Sequence, residues 1–271
     1  MEETQLRRLQ MHLYGMMKEI HESLTSHGIR YYVISGSLLG AVRHGGFIPW
    51  DDDMDIAIPR ADYDRLISES ESILPSHLEF VCGEKNADYP LQFGKIQDSR
   101  TTVIEKAYRH DLGGVYVDVF PLDGVPANGF LRWWHLLRFG VLAKVLYLVH
   151  RDPYKHGHGP RSWLPRILQS CVTKAAAHRS IRKLMTSTDF ESAEYVSPHR
   201  HHTTQVFPKS ILGKPTPIRF IDSEFMSVEH PHEYLTLYYG DYMKEPAPGK
   251  RRQHNFHYLN LDEGYRNYGK G

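Results

Sequence analysis

Four aspartates fall within five positions, Asp51, Asp52, Asp53 and Asp55, and the chain then turns apolar over 56–58. No other stretch restricts the fold as much. In a strand, side chains two apart share a face. A strand over 53–58 therefore carries Met54, Ile56 and Ile58 on one side and Asp53 and Asp55 on the other, with Asp51 joining them if the strand reaches that far. Carboxylates crowded on one side repel unless a cation sits among them. By the same alternation Asp52 faces away and is expected to tolerate substitution.

A second segment supplies a third carboxylate. In 115–120, Val115, Val117 and Val119 share one face, and Asp118 lies on the other between Tyr116 and Phe120. A carboxylate in so apolar a strand is hard to explain by packing. If the two strands are neighbours, Asp118 completes a cage with Asp53 and Asp55. Hard oxygen donors of this kind select Mg²⁺ or Mn²⁺ over zinc, and such cages serve in-line transfer at phosphorus. The competing reading is a solvated acidic turn with Asp118 as a satisfied core polar group. Upstream, Gly36 and Ser37 turn a strand over 30–35 into a short helix over 38–43, whose N-terminal amides can take a phosphate. A Gly-Ser cradle, then Asp-x-Asp, then a later strand Asp is the layout of the nucleotidyltransferase fold.

The wider pattern agrees with one large unit. The chain has 271 residues, 41% hydrophobic and 24% charged, a globular composition. Lys plus Arg (33) nearly balances Asp plus Glu (32), which argues against a dedicated nucleic-acid binder. The two cysteines, Cys82 and Cys171, are in no metal-ligand spacing, so a reducing, cytoplasmic setting is expected, the inner face of the membrane included. The charged N-terminus does not read as a signal peptide. Leu6, Leu9, Leu13, Met16, Met17, Ile20 and Leu24 mark an amphipathic first helix. Strands are expected over 53–58, 78–82, 91–97, 101–105 and 115–120, with a helix carrying Tyr63, Leu66, Ile67 and Ile73. The fold class is α/β (α+β): a nucleotidyltransferase-like core with a mixed sheet flanked by helices over 1–126, then a mainly helical elaboration over 127–271 packed on it. In that second half, helices are expected over 164–185 and 232–239 and a strand over 218–221.

The segments SGSLLGAVRHGGFIPWDDDMDIAIPR (35–60), FGKIQDSRTT (93–102), GVYVDVFPLDGVP (114–126) and LYYGDYMKEP (237–246) resemble the LicD family, including fukutin and fukutin-related protein. The resemblance implies a metal-dependent phosphotransferase. It would move a phospho-alcohol such as phosphocholine from a CDP-linked donor to a hydroxyl of a cell-surface glycan of the lipopolysaccharide, capsule or teichoic acid type, and CMP would leave. Carried over, Asp53 and Asp55 bind Mg²⁺ or Mn²⁺ with Asp51 as an outer ligand. Asp118 is the third ligand or the base, and Gly36 and Ser37 hold donor phosphates. The cysteine zinc site of fukutin-related protein is not carried over to a chain with two cysteines. Rival readings are a nucleotidyltransferase that releases pyrophosphate, an Asp-x-Asp glycosyltransferase and a non-catalytic nucleotide-binding module.

Other residues carry two readings each. Arg43 and His44 neutralise the leaving phosphate or are surface groups before a glycine loop. Lys95 is a phosphate contact or a plain edge-strand lysine. Trp50 stacks on a donor base or is wedged into the core. His199, His201 and His202 lack the spacing of a helical zinc site. The basic tail with Arg251, Arg252, His254 and His257 closes on the site or trails from it. Over 130–150, cations interrupt an apolar segment holding Trp133 and Trp134, too closely for a spanning helix. A helix packed on the core and a peripheral membrane contact both stay open.

Overall fold

The computed structural model describes residues 2–105, 112–155, 157–200, 206–251, 253 and 256–269. His201, His202, Arg252 and His254 lie outside the described residues.

The chain opens with α1 (Glu3–Ser26), whose Leu6, Leu9, Leu13, Met17, Ile20 and Leu24 are all buried. Gly28, at φ 66°, ends it in a left-handed turn that favours glycine. Then follow β1 (Tyr32–Val33), α2 (Ser35–His44), β2 (Asp55–Pro59), α3 (Arg60–Ile73), β3 (Leu78–Val81), β4 (Gly94–Asp98), β5 (Thr102–Ile104), β6 (Leu112–Gly113) and β7 (Tyr116–Val125). Next come α4 (Gly129–His150), α5 (Trp163–Cys171), α6 (Lys174–Met185), β8 (Tyr195–Ser197), β9 (Phe207–Pro208) and α7 (Lys209–Leu212). The chain closes with β10 (Thr216–Phe220), β11 (Ser223–Ser227), α8 (Pro231–Tyr239) and β12 (Tyr258–Asn260).

The strands form a mixed sheet flanked by helices, in the order β10-β11-β1-β2-β7-β4-β3, with β8 on β7 and β9 on β8. β2 and β7 run parallel, while β4 is antiparallel to β7. Val33 of β1 pairs in parallel with Ser227 of β11. Strands from beyond residue 126 thus join the same sheet as β2 and β7. A smaller sheet, β12-β5-β6, holds the tail against the body.

Several elements differ from the sequence expectation. β1 is two residues long because Ser35 already turns into α2 at φ 53°. Gly36 and Ser37 therefore sit inside the first turn of α2 instead of preceding it. Strand β2 begins at Asp55, so Asp51, Asp52 and Asp53 lie on the loop before it, and strand alternation does not apply to them. Asp52 is accordingly buried, 2% exposed, instead of facing away. β7 runs past Pro121 to Val125, its parallel pairing with β2 spanning residues 118–122. The single helix expected over 164–185 is two, because Thr173 caps α6 by accepting from Ala176 N–H.

The main core lies on the sheet, under α1, α2, α3 and α8. A second, separate core forms where Phe139, Leu146 and Val149 of α4 meet Ala177, Ile181 and Leu184 of α6.

Candidate active site

Asp55 on β2 and Asp118 on β7 are direct partners in the parallel register, and Lys95 on β4 is the partner of Asp118 on its other side. Three neighbouring strands thereby place two carboxylates and an ammonium in one row. All three side chains are buried, and strands covered on both faces can hold them there only with compensation.

Arg200, Glu105 and the approach of Lys95 to Asp118 supply that compensation, and backbone hydrogen bonds fix the strands that carry these side chains. Ser37 Oγ accepts from Asp55 N–H at 2.8 Å, which ties the start of β2 to the first turn of α2. Arg200 Nη1 donates to Asp55 Oδ2 at 2.7 Å and to Ser35 Oγ at 3.3 Å. Lys95 Nζ lies 4.0 Å from Asp118 Oδ1, is bound by Glu105, and stands 3.3 Å over the Tyr116 ring. Asp118 N–H donates to Met54 O. Asp118 Oδ1 is buried and has no hydrogen-bond partner among the described residues. Burial pushes the Asp118 carboxyl up to about 7, Asp55 and Glu105 adding to it while Lys95 and Arg200 pull it down. The charge of Asp55 holds the Arg200 guanidinium above its usual range in spite of burial.

Immediately upstream, Asp51, Asp52 and Asp53 present carboxylate oxygens all within 4.8 Å of one another. Among the described residues this is the one set of three acidic, histidine or cysteine side chains brought so close. Gln10 Nε2 fixes the loop by donating to Asp51 O and Ile48 O. A Cβ on Gly36 would stand 2.9 Å from Asp51 Oδ2, so the glycine lets that carboxylate approach the start of α2. Gly40, one turn on, meets Gly46 O so closely that a Cβ would sit 2.4 Å from it. An all-oxygen set of this density fits a hard divalent cation, and on β7 Asp118 Oδ1 is buried with no hydrogen-bond partner among the described residues. A cavity of about 440 Å³ opens against Lys95, Glu105 and Tyr116, and is also lined by Tyr89 and Leu91.

The remaining sequence candidates lie elsewhere. Arg43 and His44 sit at the far end of α2, about 12 Å along the helix from Ser35. There Arg43 donates to Tyr242 O and His44 lies 3.8 Å from Glu245. Trp50 packs against the core with Arg251 4.0 Å over its ring. His257 donates its N–H to Ile104 O, beside β12. His199 is buried, its Nε2 3.0 Å from His135 Nε2 and its Nδ1 3.4 Å from Asp123. Asp123 also accepts two hydrogen bonds from Arg60 at 2.7 Å, and that guanidinium holds its carboxyl well below the usual range. Gln92 donates to the carbonyls of His199 and Arg200. This network fixes the backbone that delivers Arg200.

Arg200 is the group that sequence reasoning missed. It lies 145 positions from Asp55 in a polar loop with no period. The one available signal was an unpaired-looking cation among histidines.

Residues 28–135 match the LicD/FKTN/FKRP nucleotidyltransferase domain. The chain is 26% identical over 275 residues to the lipopolysaccharide cholinephosphotransferase LicD of Haemophilus influenzae, covering 94% of this chain and 97% of that one. It is 32% identical over 137 residues to the mouse and human ribitol 5-phosphate transferase FKRP, covering 48% of this chain and 21% of those. An uncharacterised protein of Rickettsia typhi is 37% identical over 106 residues, 36% of this chain and 34% of that one.

Proposed function

Because the chain belongs to the LicD family through this domain, we propose that it is a phosphotransferase that moves a phospho-alcohol from a CDP-linked donor to a hydroxyl of a cell-surface glycan. The observation that carries the reading is the pairing of Asp55 with Asp118 on adjacent parallel strands, with Asp51, Asp52 and Asp53 immediately upstream. A similarity running nearly end to end with a cholinephosphotransferase supports the phospho-alcohol as cargo.

In this reading the acceptor oxygen attacks the phosphorus that bears the alcohol. A new P–O bond forms, the bond to the bridging oxygen of the diphosphate breaks, and CMP leaves with the electron pair. Asp53 and Asp55, with Asp51 outside them, would hold Mg²⁺ or Mn²⁺. When bound, the cation spreads the charge that develops on the diphosphate. Asp118 joins that set or takes the acceptor proton. A carboxyl lifted to about 7 by burial is matched to the second task near neutral pH. Arg200 balances Asp55, and Lys95 keeps a positive charge beside Asp118. Gly36 and Ser37 shape the start of α2 toward the donor phosphates. The cavity against Lys95 and Tyr116 is of a size that takes a small phospho-alcohol.

The test is product identity. Purified chain is incubated with Mg²⁺, a glycan acceptor and each of CDP-choline, CDP-ribitol, CDP-glycerol and CDP-ethanolamine. CMP release and a new phosphodiester on the acceptor, read by phosphorus NMR and mass spectrometry, are expected for one donor. Pyrophosphate with a nucleotidylated acceptor, or a hexose on the acceptor, would replace this reading with one of its rivals.

A further inference from the structure

α4 is apolar on two faces. His135, Phe139, Leu146 and Val149 are buried toward α6 and the site, at helical spacing. Phe130, Trp134, Leu137 and Val141 form a second stripe at the same spacing on the other side, and these four are 45–72% exposed. Trp133 flanks that stripe, its ring 6.0 Å from Phe130 and 6.2 Å from Trp134. α5 adds Trp163, Leu164 and Ile167, each more than half exposed. Three of the four tryptophans in the chain thus stand in water on two adjoining helices. Scattered apolar residues on a surface need no explanation, but a continuous apolar stripe flanked by tryptophans does.

Charge indicates what covers it. Residues 124–188 hold eleven Lys and Arg and a single acidic residue, Asp152, a net +10 in a chain whose total is +1, and of these cations Lys174 and Arg182 pair with Asp88, Asp64 and Glu84 outside the segment. Arg138, Lys144, Arg166, Arg179 and Lys183 are exposed. A second copy of the chain laid on this stripe would set one basic lobe against another. A layer of anionic headgroups over hydrocarbon offers an apolar environment to the tryptophans and negative charge to the exposed cations. Among the described residues no helix is long and apolar enough to cross a membrane.

We propose that the exposed face of α4 and α5 docks on an anionic lipid bilayer and lies in its headgroup plane. The face is bound by charge and by insertion of Phe130, Trp133, Trp134 and Trp163. This stands whether or not the chain transfers a phospho-alcohol, and its readout is binding alone.

The test is flotation of the full chain with phosphatidylcholine vesicles that contain about 30 mol% phosphatidylglycerol, against vesicles of phosphatidylcholine only. Binding to the anionic vesicles is expected, with a blue shift of tryptophan emission. It should fall about tenfold or more in Trp133→Ser/Trp134→Ser and in Arg138→Glu/Lys144→Glu. All these positions are exposed, and circular dichroism and melting temperature check that the variants fold. No flotation with anionic vesicles, or equal binding to neutral ones, overturns the proposal. So does a dimer in sedimentation equilibrium that the double tryptophan variant dissociates, which would assign the stripe to a second copy.

Discussion

Around Asp55, like charges are gathered onto buried strands and fastened one by one; across α4, α5 and α6, like charges of the other sign are spread over helix faces, many of them exposed, with Lys174 and Arg182 tied to Asp88, Asp64 and Glu84. The acidic row depends on register. Asp55, Asp118 and Lys95 meet because three strands pair residue to residue, and each buried charge needs an individual partner. The basic lobe depends on composition alone. Its cations reach water, where dielectric screening makes their mutual repulsion cheap. Changes in the first region should therefore be large and position-specific, and changes in the second small until a charged surface arrives.

The sharpest break is at Asp118. Asp118→Asn should lower transfer by about 10³-fold or more while the fold persists. Retained CMP release in the purified variant would remove Asp118 from the chemistry. The same variant has a stability signature of determinate sign. The folded carboxyl titrates at about 7, above the 3.8 of an ordinary aspartate. It costs nothing below pH about 4, costs more as pH rises toward 7, and carries its full cost above that. Without metal, Asp118→Asn should exceed the natural protein in stability at pH about 8 by roughly 4 kcal/mol, and match it at pH about 3.5. Denaturant titrations at the two pH values check this.

Next in size is Arg200→Ala, which leaves Asp55 buried beside Asp118 without its guanidinium. It should cost roughly 2–4 kcal/mol of stability and about 100-fold in transfer, with Arg200→Lys recovering part of each. Equal stability in the alanine variant would mean that the Asp55–Arg200 contact is incidental. Gly36→Ala comes third. Its Cβ intrudes on Asp51 Oδ2, and metal affinity by calorimetry should weaken by about tenfold with little change in melting temperature. On the basic side, Arg179→Glu should leave turnover on a water-soluble acceptor within about twofold. A large loss there would end the contrast between the two regions.

Much of the frame was readable because short-range pattern decides it. The α1 period, the glycine stops and the apolar alternation of 115–120 each encode one element, and an Asp in such a strand implied a neighbouring carboxylate. The loop before β2 was misread for a physical reason: period two holds only inside a strand, and the strand starts at Asp55. Asp52 is buried for that reason, contrary to the alternation argument. The break between α5 and α6 rests on one hydroxyl, that of Thr173, amid helix-forming residues. Arg200 was unreadable because its position follows from the contacts of Gln92, His199 and Asp123, which are spread across the chain.

β1 carries a consequence for how the molecule comes into being. It is a two-residue strand, and one of its two neighbours, β11, is 194 positions later in the chain. Loops of that length close slowly, and sheets with such distant pairings form late. A ribosome must release the chain past Ser227 before Val33 can find it. Until then the buried Asp55 of β2 waits on an unfinished sheet. The reactive end of the molecule is made early in synthesis and assembled last.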